Sequence, residues 1–192
     1  IKDKKQNVYL DQILDSSYTM RDLINSILTL LKLEAGVLEF KFKSYSVKSM
    51  INDVLKTKGS VIKLKNINLI KDLANIKLKC DYDRIRDVIV NLLDNAIKFS
   101  DKGGTIRLRT ILKNNYVSIS VKDYGMGIKK VDIPNLFKKF YQAEDGKKFG
   151  GTGIGLTIIK HIVEVHKGKI TVKSKYGKWT EFIVSLPKGG LK

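Results

Sequence analysis

The sequence predicts a mixed α and β chain in which one long amphipathic helix leads into alternating helices and strands. Three observations carry that expectation. Apolar residues hold helical spacing through residues 3–35, residues 105–121 alternate apolar and polar around Asn114-Asn115, and DYDRIRDVIVNLLDNAIKFS (81–100) joins a capped amphipathic helix to a polar strip.

In the first helix Ile13, Met20 and Ile27 recur every seven residues, as do Leu23 and Leu30, while Leu10, Ile24 and Leu31 widen the stripe. That width suits a helical bundle, so a partner helix is expected; packing on the chain's own globular part is the other reading. Ala35-Gly36 ends the helix, with Gly36 as C-cap. Residues 37–43 alternate Leu38, Phe40 and Phe42 with Glu39, Lys41 and Lys43, which predicts a strand. Ser46 is placed to cap a helix carrying Val47, Met50, Ile51, Val54 and Leu55, and short strands are expected over 67–73 and 76–79.

Asp81 is a good N-cap for the next helix, whose buried face is Ile85, Val88, Ile89, Leu92, Leu93 and Ala96. Asn91, Asn95 and Lys98 fall at i, i+4 and i+7, on one face. Asparagine is a poor helix-interior residue, so two in register above an ammonium read either as a solvated face or as a strip kept for a ligand. Carboxamide oxygens suit a hard cation such as Mg²⁺, and lysine suits a phosphate.

A hairpin is expected next, from Thr105–Leu112 and Tyr116–Val121. Asp123-Tyr-Gly125-Met-Gly127 follows its second strand; the carboxylate there can accept from an exocyclic amine such as adenine N6, or simply cap a turn. Pro134–Tyr141 predicts a short amphipathic helix whose aromatics read as core, and residues 142–151 a polar loop. Gly150-Gly-Thr-Gly-Ile-Gly-Leu156 then opens a helix, an arrangement that aims free N–H groups at an anion or serves as a hinge. It is neither a P-loop nor a dinucleotide fingerprint. His161 and His166 read as structural rather than catalytic, and strands over 169–173 and 180–186 close the chain at Pro187.

Composition narrows the function. The 192 residues suit one to two domains with a real core, and 43% hydrophobic with 29% charged residues is ordinary for a soluble globular protein. No apolar run approaches the ~20 residues of a bilayer span, and there is no secretory signal pattern. The start within a helical pattern, without Met, leads us to expect a fragment whose parent could carry an upstream membrane segment. Cys80 is the only cysteine, which fits a reducing compartment and a cytoplasmic location. A net charge of +18 invites a polyanion, but the positive charge is mostly lysine spread along every segment, without an aromatic-interleaved basic tract. A lysine-biased surface is the expectation, and nucleic acid is not an expected partner.

Four motifs stand in a specific order: NLLDNAIKF (91–99), DYGMG (123–127), LFKKFY (136–141) and GGTGIGL (150–156). They resemble the N, G1, F and G2 boxes of the sensor histidine kinases, within the GHKL superfamily. Residues 44–192 resemble that ATP-binding catalytic domain, 1–36 the second helix of the dimerisation and phosphotransfer hairpin, and 37–43 a linker strand. The resemblance implies an α+β two-layer sandwich of the Bergerat type, a mixed sheet backing helices, with ATP between helices and lid. It implies that Asn91 and Asn95 hold Mg²⁺, Lys98 meets the phosphates, and Asp123 binds the adenine amine in a pocket shaped by Gly125 and Gly127. Gly151, Thr152, Gly153, Gly155 and Leu156 are implied at the lid hinge, with Lys139 and Tyr141 as further nucleotide contacts. The partners it implies are ATP, a histidine-bearing hairpin helix of the same parent, a response regulator receiver domain and a second copy of the parent protein.

Two departures qualify this. The family's phosphoacceptor histidine would lie upstream of Ile1, so this chain is expected to bind ATP without phosphorylating itself. Trp179 stands where the family usually has a second glycine, so either the turn differs or the indole fills a surface gap. Related gyrase-like and chaperone ATPases carry a water-activating Glu one turn before the metal-binding Asn; here that turn carries Asn91, which cannot take a proton. Phosphoryl transfer is therefore expected over hydrolysis, with a GHKL-type ATPase or a non-catalytic nucleotide-binding module as the alternatives.

Overall fold

The computed structural model describes residues 2–190, with side chains at 8–10, 13, 14 and 16–190. The outer ends of the expected units, residue 1 and residues 191–192, lie outside it. The elements run α1 (Lys2–Glu34), β1 (Phe42–Ser46), α2 (Val47–Leu64), β2 (Asn68–Leu73), β3 (Lys77–Asp81), α3 (Tyr82–Phe99), β4 (Thr105–Lys113) and β5 (Tyr116–Asp123). They continue through α4 (Glu144–Lys147), α5 (Gly155–Val165), β6 (Lys169–Lys175) and β7 (Trp179–Pro187). Five strands form a mixed sheet in the order β2-β4-β5-β7-β6, parallel only between β2 and β4, while β1 and β3 pair separately. Helices α2, α3 and α5 cover one face, so the expected two-layer α+β sandwich is what forms.

Local chemistry explains most of the elements. Ser46 caps α2 by accepting from Ser49 N, and Asp81 caps α3 by accepting from Arg84 N. Asn114 and Asn115 both sit at positive φ, 49° and 60°, the backbone of a two-residue hairpin turn that matches strand twist. Inward residues of β4 and β5, such as Ile106, Leu108, Val117, Ile119 and Val121, meet Ile85, Ile89, Leu92 and Leu93 of α3 in one buried core. Each such side chain contributes roughly 1.5–3 kcal/mol by leaving water.

Two expected elements differ. Residues 37–41 form no strand, because the partner strand ends at Asp81, opposite Phe42, where the chain turns into α3. The alternation still has a use: Phe40 and Phe42 both pack on the His166 ring, with centroids 5.7 and 4.9 Å away. Over 134–141 only a 3₁₀ turn forms, at Ile133–Asn135, followed by turns. Phe140 adopts φ +61°, which no helix accommodates, and it is exposed, whereas Leu136 and Phe137 pack inward. The expected loop over 142–151 also contains the single helical turn α4.

Trp179 opens β7 after a three-residue turn in which Gly177 takes the left-handed position, φ +73°. Its indole lies under the Lys122 ammonium, 4.1 Å from the ring centre, so it covers the outer sheet face. Cys80 is fully buried, and burial, then the nearby Asp81 charge, pushes its thiol up to about 12; it is inert.

His166 is a buried tie between elements. Its Nε2 accepts from Asp81 N at 3.1 Å and its Nδ1 donates to Ile162 O at 2.7 Å, which fixes the neutral tautomer. Burial lowers its pKa, against the opposing pull of the Ile162 carbonyl and of Asp81. Below the ordinary value of 6.5 the unfolded chain takes up a proton that the folded chain resists. This group's contribution to stability is therefore lost as pH falls. His166→Ala opens a cavity and orphans the Asp81 N–H, so we expect a loss of about 3 kcal/mol, read as a lower urea midpoint at unchanged slope.

Among the described residues, helix α1 meets the core through its C-terminal part: Leu30 is buried and Leu33 rests on the core. Leu10, Ile13, Met20, Ile24 and Leu31 are all more than half exposed, while Leu23 and Ile27 are half-buried, so most of the stripe read from the sequence is left uncovered within this chain.

Candidate functional site

A cleft of about 500 Å³ lies between α3, the end of β5 and the glycine-rich segment that opens α5. Asn91, Asn95 and Lys98 of α3 line it as one strip, as their spacing required. The Asn91 amide donates to Asp87 O at 3.3 Å, so its oxygen is the atom turned toward α5. A Cβ on Gly155 would stand 2.8 Å from that oxygen; only glycine lets the helix start this close. Gly155 also belongs to an α5 N-terminus that no side chain caps, which leaves N–H groups and the positive dipole end facing the cleft.

The floor is Asp123, 5% exposed at the end of β5. Burial pushes its carboxyl up from the ordinary 3.8 to about 6, although the Gly125 N–H, donating at 3.1 Å, pulls the other way. Gly125 does not itself line the cleft; it packs against the Phe99 carbonyl, where any side chain would collide. Gly127 lines the cleft and is pressed against the Lys175 carbonyl at φ +66°.

Over the opening lies the 142–153 segment. Lys98 donates to Gly150 O, Gln142 to Gly151 O at 2.8 Å, and Ile154 N to Thr152 Oγ1 at 3.3 Å. Burial lowers the Lys98 pKa. Asp145 of α4 is held by Lys129 at 2.7 Å and by the Tyr176 hydroxyl at 3.0 Å, and Phe149 meets Phe99 edge-on. Gly151, Gly153 and Leu156 line the cleft as expected.

Of the two further contacts expected from the LFKKFY motif, Tyr141 reaches the cleft, donating to Asp132 at 2.6 Å. Lys139 does not: it pairs with Glu34 of α1 at 2.5 Å and lies off the cleft. Asp94 stands at the rim with its carboxylate bound to Lys58 at 2.7 Å. Sequence reasoning missed the apolar wall of Ile128, Leu136 and Phe182, the buried Thr180, and the approach of Thr19, Asp22 and Ser26 from α1. Thr180 pairs directly with Asp123 across β5 and β7, so register would have found it.

Donor chemistry fits a magnesium nucleotide. A buried carboxylate suits an exocyclic amine, two carboxamides suit a hard cation, and an ammonium with free helix N–H groups suits phosphate oxygens.

Residues 80–190 match the family model described as histidine kinase-, DNA gyrase B- and HSP90-like ATPase. Over 190 residues, 96% of this chain, the sequence is 34% identical to the circadian input-output histidine kinase CikA of Synechococcus elongatus, of which it spans 25%. The catalytic domain of histidine kinase ThkA superposes with a TM-score of 0.70 at 27% identity, covering 78% of this chain and 97% of that one. Full-length ShkA in complex with AMPPNP shares the fold, with a TM-score of 0.81 at 23% identity over 97% of this chain and 40% of its own. ThkA in complex with the response regulator protein TrrA shares it too, at 0.77 and 23% over 94% and 50%. The chain belongs to the histidine kinase-, DNA gyrase B- and HSP90-like ATPase family, as the ATP-binding catalytic domain of a sensor histidine kinase.

Proposed function

We propose that this chain binds Mg·ATP in the cleft and transfers the γ-phosphoryl group to a histidine on a separate hairpin helix, for relay to a receiver-domain aspartate. The observation that carries this is the Asn91–Asn95–Lys98 strip facing the glycine-opened α5 across one cleft, with buried Asp123 as floor. Asp123 accepts from the adenine amine and Gly127 gives the base room. Asn91 and Asn95 present carboxamide oxygens to the cation, which when bound neutralises phosphate charge. Lys98, released from Gly150 O, meets the phosphates together with the first N–H groups of α5. Gly151, Thr152, Gly153 and Leu156 shape the flap, and Tyr141 closes its side.

The site favours transfer over hydrolysis. Asn91 holds the position from which a carboxylate would activate water, and the neighbouring Asp94 and Asp132 are engaged by Lys58 and Tyr141. Positioning and charge neutralisation are what phosphoryl transfer needs most. The acceptor must come from elsewhere, because His166 is buried in a structural tie and His161 lies on α5, away from the cleft lining.

Residues 1–36 serve as the bundle helix, 37–43 as linker and 44–192 as the nucleotide unit. The uncovered stripe of α1 supports pairing with the hairpin's other helix and with a second copy. ThkA's complex with TrrA supports a response regulator as partner, and ShkA's AMPPNP complex supports the nucleotide. The domain works where ATP is, on the cytoplasmic side; no helix among the described residues is long and apolar enough to cross a membrane.

The test mixes this chain with a hairpin domain bearing a phosphoacceptor histidine and γ-labelled ATP. We expect acid-labile label on the hairpin and little free phosphate. No label, despite ATP binding and hairpin assembly, would leave a non-catalytic nucleotide module.

A further inference from the structure

An α-helix ends with carbonyls that have no partner of their own, and the end of α3 must hold its shape because Lys98 and Phe99 stand on it. Ala96 O accepts from Ser100 N and from the Ser100 hydroxyl, at 3.1 and 2.7 Å. Phe99 O is pressed against Gly125. Between them, Ile97 O and Lys98 O both accept from one ammonium, that of Lys65, at 2.6 and 3.1 Å.

Lys65 is itself fixed. It is the C-cap of α2, its N–H donates to Val61 O at 3.0 Å, and its carbonyl accepts from Gly103 N at 2.9 Å in the turn that leaves α3. Asn66, at φ +52°, then turns the chain back so that Ile67 N reaches Ile62 O. The lysine therefore bridges the ends of two helices from a backbone tied to both. A cation at a helix C-terminus is also favoured by the dipole, and a charge-assisted bond is stronger than a neutral one.

We propose that Lys65 is a positioning residue for phosphate recognition: by clamping the last turn of α3 it aims the Lys98 ammonium into the nucleotide cleft. Lys65 is absent from the cleft lining and acts only through the backbone that carries Lys98. The proposal rests on the Mg·ATP reading of the cleft. A lysine that merely stabilised the fold would weaken all ligands alike, or none. One that aims Lys98 weakens the phosphate-bearing ligand selectively, because adenosine makes no use of Lys98.

Calorimetric affinities for Mg·ATP and for adenosine, measured on the full chain, test this in Lys65→Met, Lys65→Arg and Lys98→Met, alone and combined. Lys65→Met is expected to lower the ATP-to-adenosine affinity ratio about tenfold, since a small misplacement of a binding group has large effects. Lys65→Arg restores most of the ratio, and Lys65→Met adds nothing further in a Lys98→Met background. An unchanged ratio, equal losses for both ligands, or an undiminished effect in the Lys98→Met background would each overturn the proposal. Should Lys65→Met not fold, Lys65→Gln decides: its neutral donor should give an intermediate ratio, and a wild-type ratio overturns the role. A wild-type chain that binds neither ligand overturns the nucleotide reading, and Lys65's role with it.

Discussion

Asp123→Asn is expected to lower ATP affinity about 10- to 100-fold while making the protein harder to unfold. The two effects share one cause. Asp123 is buried, and burial raises its carboxyl to about 6, so at neutral pH the fold carries an ionised group in surroundings that resist it. That mismatch costs about 3 kcal/mol, and a neutral carboxamide of the same shape removes it. What is lost is a charge-assisted acceptor for an exocyclic amine, and bonds to charged groups contribute roughly 1.5–3 kcal/mol. The asparagine also sets a donor against the amine if its nitrogen faces the cleft. A thermal melt and a calorimetric titration on the same sample separate the two. Unchanged ATP affinity would remove Asp123 from the adenine site.

The same carboxyl sets a pH dependence with a definite sign. Between 3.8 and about 6 the folded chain holds a proton that the unfolded chain has released. This group's contribution to stability therefore falls as pH rises through that window. His166 acts in the opposite direction over the range below 6.5, so the two partly cancel in an ordinary denaturation curve. Nucleotide affinity is not subject to that cancellation. On the proposed adenine role of Asp123 it needs the ionised carboxylate, so below pH 6 it should weaken by up to about tenfold per unit. In Asp123→Asn that slope should vanish.

Local chemistry made much of this fold legible, and long-range pairing hid the rest. The caps at Ser46 and Asp81, the Asn114-Asn115 turn and the α3 strip depend on residues within one or two turns of one another. Those readings met the structure closely. Residues 37–41 alternate like a strand, but whether they pair depends on where β3 stops. Lys139 stands in a recognised motif, yet its neighbour is Glu34, a residue that only the docking of α1 brings near. The cleft wall near Asp123 was hidden for the same reason. Thr180 and Phe182 look like ordinary inward strand residues until the β5–β7 register sets them beside Asp123 and Val121. Lys65 is the sharpest case: from sequence it is one lysine among many, and only the meeting of two helix ends gives it partners.

Asn95→Ala separates metal binding from nucleotide binding, and its effect should depend on what is in the buffer. The side chain lies one turn beyond Asn91 and one before Lys98, on the cleft side of α3. Its carboxamide oxygen is a ligand that Mg²⁺ accepts readily, whereas bare triphosphate, rich in acceptors itself, gains little from an oxygen. With Mg²⁺ present, truncation should reduce ATP affinity on the order of 10-fold and phosphoryl transfer to a supplied histidine on the order of 100-fold. In EDTA, affinity should change less than about twofold, because Asp123, Lys98 and the α5 N-terminus are untouched. Asn91→Ala provides the control for packing: it removes the oxygen that faces Gly155, so it should also loosen the start of α5. An Asn95→Ala loss of equal size in both buffers would mean that Asn95 touches the nucleotide or supports the helix, and does not bind the cation. Transfer falling further than affinity in magnesium is the outcome that a ligand to the transferred group's cation requires, because it would show the carboxamide working hardest when phosphoryl charge is moving.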